Sequence, residues 1–223
     1  MKPILAFDVY GTLVDPMGMA DLLAPDAGQA AESVSAQWRE KQLEFSFRKG
    51  LMRMYEDFGA CTRQALRYAM ASHGLSLSGE REDELMGAYL SLPAFDDSLP
   101  ALESLQGEYR MFAFSNGTYP ALEKVLGHNH LLDQFEGLVS VDDIKSFKPD
   151  PAVYAYARRA TGAMDKPLCL VSSNAWDVIG ARAAGLTAIW VQRDAGKVFE
   201  DWGIEPNAVV RSLSELPGAL ANL

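Results

Sequence analysis

The feature that most constrains the fold is a set of short apolar runs of strand length. They recur along the chain at Ile4–Phe7, Met111–Ser115, Gly137–Ser140, Leu168–Ser172 and Thr187–Val191. Helical stretches separate the later runs, and this alternation is typical of a parallel sheet with helices on both faces. The pattern therefore predicts an α/β fold with a doubly wound parallel core.

The gap between the first two runs is far longer than one crossover helix requires. Within it, apolar periodicity favours helices over 29–47, 62–73 and 80–90. We predict a helical cap domain at residues 16–94, inserted into a core domain formed by residues 1–15 and 95–223. The joints, near Pro16 and Pro93, would leave Asp8 close to the seam between the domains.

Charge and composition narrow the class of protein. A chain of 223 residues with 48% apolar and 22% charged residues is typical of a globular protein, and its net charge of −10 without a basic block disfavours nucleic-acid binding. No apolar run is long enough to cross a membrane. The first residues lack the pattern of a secretory signal, so we expect a cytoplasmic protein. Cys61 and Cys169 match no metal-binding spacing and are expected to be buried or semi-buried thiols.

Polar residues follow four of the apolar runs. Asp8 follows the first and Ser115-Asn116 ends the second, while Lys148 lies after the third and Asp177 after the fourth. Asp8 alone would be expected to cap a turn, and a lone lysine such as Lys148 to lie at the surface. Because the carboxyl ends of parallel strands meet at one sheet edge, we expect the four segments to converge there.

This order of aspartate, serine, lysine and carboxylate resembles the haloacid dehalogenase superfamily over the whole chain. The resemblance implies a Rossmann-like core with a cap and a reaction that begins with attack by Asp8. Phosphatases of the superfamily carry a second aspartate two residues after the nucleophile as a general acid. Here that position is Tyr10, whose phenol has an ordinary pKa of ~10 against ~3.9 for aspartate. They also hold magnesium with acidic groups where this chain has Ser172-Ser173-Asn174. Both departures favour displacement at carbon, since a halide leaves without a proton.

Five segments carry a closer resemblance to the L-2-haloacid dehalogenases: FDVYGTL, QWREKQLEF, FSNGT, SFKPDPAVY and VSSNAWD. It implies hydrolysis of a short (S)-2-haloalkanoate to an (R)-2-hydroxyalkanoate and halide, with inversion, through an ester on the aspartate. No metal or other cofactor is implied. The implied partners are the small anionic haloacid, the halide product and a second copy of the chain in a homodimer.

The resemblance assigns catalytic roles to seven residues. Asp8 is the nucleophile, Lys148 holds it ionised, and Asp177 either activates water or orients Lys148. The full set is Asp8, Thr12, Arg39, Lys148, Ser172, Asn174 and Asp177.

A second set is implied to bind the substrate and the halide. It comprises Val9, Tyr10, Arg39, Leu43, Phe58, Ser115, Asn116, Tyr154 and Trp176. Arg39 and Asn116 resemble a halide cradle, and Ser115 with backbone N–H groups near Val9 resembles a carboxylate site. Tyr154 is expected either to hydrogen-bond near the site or to pack in the core. Glu40 stands beside Arg39 where related sequences more often have a neutral glutamine, so it either alters substrate preference or points to solvent.

Other functions remain alternatives at this point. The same nucleophile serves a hydrolase of fluoroacetate or of a strained ring such as azetidine-2-carboxylate. A magnesium phosphatase and a non-catalytic binding module with this fold are less favoured. The sequence leaves the preferred halogen and chain length open.

Overall fold

The computed structural model describes residues 2–223 and contains a six-stranded sheet in which all neighbouring strands are parallel. The sheet order is β3-β2-β1-β4-β5-β6. The strands are β1 Ile4–Phe7, β2 Met111–Ser115, β3 Gly137–Ser140, β4 Leu168–Ser172, β5 Thr187–Val191 and β6 Ala208–Val210. The predicted α/β class and the first five strands are confirmed. Strand β6 was not predicted because three residues are too few to show a period.

Nine α-helices accompany the sheet within these residues. They are α1 Met19–Ala27, α2 Ala31–Met52, α3 Phe58–Ser72, α4 Gly79–Tyr89, α5 Ser98–Leu105, α6 Tyr119–His128, α7 Pro151–Ala160, α8 Ala175–Ala183 and α9 Leu216–Leu220.

The two central strands, β1 and β4, are buried along their whole length. Strands covered on both faces read as continuous apolar runs, which is why ILAF and LCLVS show no polar alternation. Asp8 follows β1 directly, and its backbone N–H donates to Val171 O in β4 at 3.0 Å. The sheet therefore fixes the backbone of Asp8 at the centre of its carboxyl edge.

Helices α1 to α4 all lie between β1 and β2 and pack on one another. The predicted helix 62–73 is observed as Phe58–Ser72, because the Asp57 side chain caps it by accepting from Ala60 N at 2.8 Å. The prediction for 80–90 is one residue late, since Ser78 caps α4 at Gly79. The prediction for 29–47 corresponds to α2, which ends only at Met52.

Helix α1 was missed, and an internal Pro25 weakens its sequence signal. The domain boundaries at residues 16–94 stay a prediction.

The two chain segments that join this helical region to the sheet run side by side. Asp15 N donates to Pro93 O at 2.9 Å, and Phe95 N donates to Leu13 O at 3.0 Å. Asn129 holds the second segment, since its side chain accepts from Ala94 N and donates to Leu92 O. The loop after Asp8 is therefore tied to the base of the helical region.

Candidate active site

The Asp8 carboxylate is buried and has two oxygens with different surroundings. Its Oδ2 atom accepts hydrogen bonds from Thr12 Oγ1 and Asn174 Nδ2, both at 2.8 Å. The Ser172 hydroxyl lies 3.4 Å from the same oxygen. Its Oδ1 atom accepts one bond, from Lys148 Nζ at 3.2 Å. Oδ2 is thus surrounded by hydrogen-bond donors, whereas Oδ1 still has a lone pair that no donor occupies.

A tight turn places Thr12 beneath the carboxylate. Gly11 has φ +92°, a conformation that favours glycine. The Thr12 hydroxyl donates to Asp8 and accepts from Ser173 N at 2.9 Å. The turn therefore links the end of β1 to the segment after β4.

Lys148 is buried, with three acceptors around its ammonium group. Nζ donates to Asp177 Oδ2 at 2.8 Å, to Phe114 O at 2.9 Å and to Asp8 Oδ1. Burial by itself would lower the pKa of Lys148, but the two carboxylates outweigh it and the pKa is raised. Lys148 is therefore charged through the neutral range and shared between Asp8 and Asp177.

Asp177 is fully buried in the first turn of α8, and both of its oxygens are occupied. Oδ2 accepts from Lys148, and Oδ1 accepts from Tyr154 Oη at 2.8 Å. Gly180 permits this approach, since a Cβ there would lie 2.6 Å from Tyr154 Oη. Burial raises the pKa of the Asp177 carboxyl, and Lys148 opposes that shift. Tyr154 also packs edge-on against Phe114, so it makes both a hydrogen bond to Asp177 and a core contact.

The segment after β2 brings Ser115 and Asn116 to the same sheet edge. Asn116 Oδ1 accepts from Lys148 N at 3.0 Å, and Ser115 Oγ accepts from Gly117 N at 3.1 Å. Within residues 2–223 the N–H groups of Val9, Tyr10 and Asn116 have no protein acceptor. Unpaired backbone N–H donors grouped at one edge of a sheet are the kind of arrangement that binds anions in proteins.

Arg39 reaches the site from α2 and is half-buried. Its Nη2 donates to Tyr10 O at 3.1 Å, and the same carbonyl accepts from Asn174 Nδ2 at 3.2 Å. Arg39 is thereby linked to Asp8 through Asn174. Glu40, its neighbour, is exposed, so of the two expectations for Glu40 the structure has the one in which it faces solvent.

Aromatic side chains pack around Tyr10, two residues after Asp8. The buried Tyr10 ring lies 5.9 Å from Phe58 and 5.6 Å from Tyr89, centroid to centroid. Trp176 is half-buried, and its ring lies 5.0 Å from that of Phe47. Leu43 is half-buried one turn after Arg39 on α2. Burial raises the pKa of the Tyr10 phenol, so it stays neutral.

Two residues that hold the site were missed by the sequence reasoning. Gln42 is fully buried and accepts from Arg39 Nη1 at 2.6 Å. Its position three residues after Arg39 in QWREKQLEF was a usable signal. Arg193 donates to Thr12 O through Nε and Nη2, at 3.1 and 2.6 Å, and is paired with Asp97. Nothing in the spacing of Arg193 marked it.

Across residues 2–223, no group of three or more His, Cys, Asp or Glu side chains is placed to hold a metal ion. In the same part of the chain, no helix combines the length and apolar character needed to cross a membrane.

The arrangement places a buried aspartate, held by a buried lysine, at the carboxyl edge of a parallel sheet. A family model described as haloacid dehalogenase-like hydrolase matches residues 3–185. The chain is 36% identical to an (S)-2-haloacid dehalogenase of Pseudomonas fluorescens, covering 97% of this chain and 95% of that protein. It is 38% identical to the (S)-2-haloacid dehalogenase of Pseudomonas sp. strain YL, and the match covers 94% of this chain and 90% of that protein. The protein therefore belongs to the haloacid dehalogenase-like hydrolases.

Structural comparison places it more narrowly. The L-2-haloacid dehalogenase of Xanthobacter autotrophicus, solved with chloropropionic acid covalently bound, superposes with a TM-score of 0.93. The two chains are 29% identical and each is covered completely. Within its family the protein is thus a member of the L-2-haloacid dehalogenases.

Proposed function

We propose that the protein hydrolyses short (S)-2-haloalkanoates to (R)-2-hydroxyalkanoates, with inversion at C2 and through an ester on Asp8. The observation that carries this proposal is the asymmetric environment of the Asp8 carboxylate. Oδ1 has one donor, whereas Oδ2 has three neighbouring donors. Oδ1 is therefore the atom that attacks C2.

The same asymmetry serves the second step. Once Oδ1 carries the alkyl group, Oδ2 becomes the ester carbonyl oxygen, which gains negative charge when water attacks. Thr12 and Asn174 already donate to it, and Ser172 lies beside it. Donors placed in advance on a developing oxyanion stabilise the transition state strongly. The groups that orient the nucleophile thus also form an oxyanion hole.

Substrate binding uses donors that the resting fold leaves unengaged. The backbone N–H groups of Val9, Tyr10 and Asn116 with the Ser115 hydroxyl bind the substrate carboxylate. Arg39 and the Asn116 amide receive the halide, because a guanidinium stabilises an anion without losing its proton. Leu43, Phe58 and Trp176 complete the apolar wall around C2. Asp177 orients Lys148 in the resting enzyme. This role is supported by the hydrogen bonds that already occupy both carboxylate oxygens of Asp177, one from Lys148 and one from Tyr154.

Assembly and location form part of the proposal. A homodimer is supported by the exposed Leu51 and Met52 at the end of α2 and the exposed Met54 just beyond it, since apolar side chains grouped at a surface favour association. A cytoplasmic location is supported by Cys61 and Cys169, both of which are free and buried as expected.

Halide release from separate enantiomers tests the function. We expect the protein to release chloride from (S)-2-chloropropanoate in EDTA and to form (R)-lactate, with no turnover of the (R) substrate. Ion chromatography and chiral chromatography measure the two products. Magnesium-dependent phosphate release from a small ester, without any halide release, would instead indicate a phosphatase.

Replacement of Tyr10 by phenylalanine tests whether Tyr10 is only part of the apolar wall or acts as a general acid. We expect kcat/KM for (S)-2-chloropropanoate to stay within about threefold of the wild type, since a general acid would contribute roughly 10²–10⁴-fold. The ring packing against Phe58 and Tyr89 is kept in this variant. A loss of a hundredfold with unchanged thermal stability would show that the hydroxyl takes part in the reaction.

A further inference from the structure

Helix α2 carries a glutamine on the stripe that it buries. The buried residues of this helix are Ala31, Val34, Ser35, Trp38, Gln42 and Ser46. Gln42 is 0% exposed. An amide at such a position costs free energy unless its oxygen and nitrogen are both hydrogen-bonded.

Every polar atom of the Gln42 side chain has a partner. Oε1 accepts from Arg39 Nη1 at 2.6 Å and from Tyr89 Oη at 3.0 Å. Nε2 donates to Thr62 Oγ1 at 2.6 Å, and that hydroxyl donates to Phe58 O at 2.7 Å. Because a guanidinium can only donate, the amide oxygen must face Arg39. The orientation of the amide is thus determined by the network.

We infer that Gln42 is a positioning residue that sets the halide affinity of Arg39; this rests on the proposed function of the site. Gln42 holds Nη1 while the Tyr10 carbonyl holds Nη2. These two contacts fix the plane of the guanidinium and leave its remaining N–H donors without a protein acceptor within residues 2–223. Both acceptors are neutral, so Arg39 keeps its full positive charge for the leaving halide.

A charged acceptor would have the opposite effect. Arginine and carboxylate form strong bidentate pairs, and such a pair would compete with halide for the same donors. A neutral amide orients the guanidinium without offsetting its charge. The position therefore requires an acceptor of this length that carries no charge.

The network also couples the cradle to the apolar wall. Tyr89, which donates to Gln42, is stacked on Tyr10, and Tyr10 supplies the second acceptor for Arg39. Wall and cradle therefore share one set of contacts, and a change at Gln42 acts on halide binding through Arg39 rather than by touching the substrate.

The test is bromide binding, measured by titration calorimetry on the full-length protein in the absence of substrate. We expect Gln42→Glu to weaken bromide binding roughly 10- to 100-fold, because the new carboxylate competes with bromide for the Arg39 donors. This range corresponds to the loss of one hydrogen bond between Arg39 and the charged bromide. Gln42→Met, which removes the contact but adds no charge, should weaken it less. Gln37→Glu on the same helix, at a half-buried position, is the matched control and should bind bromide as the wild type does.

Thermal unfolding separates positioning from a merely structural role. If both Gln42 variants bind bromide normally while their unfolding temperatures fall, Gln42 is only structural and the inference is overturned. A wild type that binds no bromide overturns it as well. Chloride release by the wild type, assayed in parallel with (S)-2-chloropropanoate, reports on the proposed function separately.

Discussion

Replacement of Asp8 by asparagine is expected to lower kcat by about 10⁴-fold or more, as the loss of a covalent nucleophile does in other enzymes. An amide cannot displace a halide and form the ester. The change adds almost no volume, and the asparagine oxygen can still accept from Thr12 and Asn174. Halide release and thermal unfolding, measured on the same preparation, distinguish lost chemistry from lost folding.

Asp21→Asn is the matched control for that variant, because Asp21 is exposed in the first turn of α1. It should leave kcat within about twofold, as surface substitutions do. If Asp8→Asn kept a substantial fraction of the wild-type kcat, another group would be the nucleophile. Mass analysis of the Asp8 peptide would have to exclude deamidation before that conclusion.

Replacement of Lys148 by methionine is expected to abolish activity and to destabilise the fold by about 3–5 kcal/mol, the usual result of removing one partner from a buried ion pair. The side chain of Lys148 is 1% exposed, and its removal leaves Asp8 and Asp177 buried together without a cation. Two neighbouring buried carboxylates cannot both stay ionised at low cost. One of them then takes up a proton, and when that carboxylate is Asp8 the nucleophile is lost.

This loss of stability has a pH dependence of defined sign. Burial already raises the pKa of Asp177 with Lys148 present, and the pKa rises further without it. A carboxyl whose pKa is higher in the folded state than in the unfolded state lowers the free energy of unfolding at pH values above its ordinary pKa. This destabilisation shrinks as the pH falls below the folded-state pKa and is gone below the ordinary pKa. The deficit of Lys148→Met in free energy of unfolding should therefore be larger at pH 8 than at pH 4. In the wild type, the pKa of Lys148 is raised. The contribution of Lys148 to the free energy of unfolding therefore persists until the pH exceeds the ordinary lysine pKa of 10.5.

A double variant, Lys148→Met with Asp177→Asn, separates the two effects. It removes one buried charge of each sign, so stability should recover in part while activity stays lost. Denaturant unfolding at the two pH values and halide release provide the measurements. A stability deficit of Lys148→Met relative to the wild type that is no larger at pH 8 than at pH 4, or a variant that retains turnover, would contradict the electrostatic role given to the lysine.

The sequence predicted the sheet more closely than the helices. Continuous apolar runs such as Leu168–Ser172 have clear ends, because β4 is buried on both faces. Helix ends depend on capping by single side chains, and the prediction placed the start of α3 four residues late because Asp57 was not recognised as its cap. Strand β6, at the sheet edge, was too short to be recognised.

The residues of the site also fall into those that the sequence predicted and those that it missed. Asp8, Lys148 and Asp177 lie at strand ends or in a known motif, and topology brings them within hydrogen-bond distance. Gln42 lies one helical turn from Arg39, so its spacing was a usable signal, whereas Arg193 acts through a contact with Thr12 O, far away in sequence. Pairings of this kind arise from tertiary packing and leave no period or spacing in one sequence.

A single turnover in water enriched in ¹⁸O tests the central claim, that Asp8 attacks carbon and water attacks the resulting ester, most directly. Enzyme in excess over (S)-2-chloropropanoate should yield lactate whose hydroxyl oxygen is ¹⁶O from Asp8. One ¹⁸O atom should appear in the Asp8 peptide by mass spectrometry. Lactate that carries ¹⁸O after one turnover, with none in that peptide, would show direct attack by water and would contradict the account.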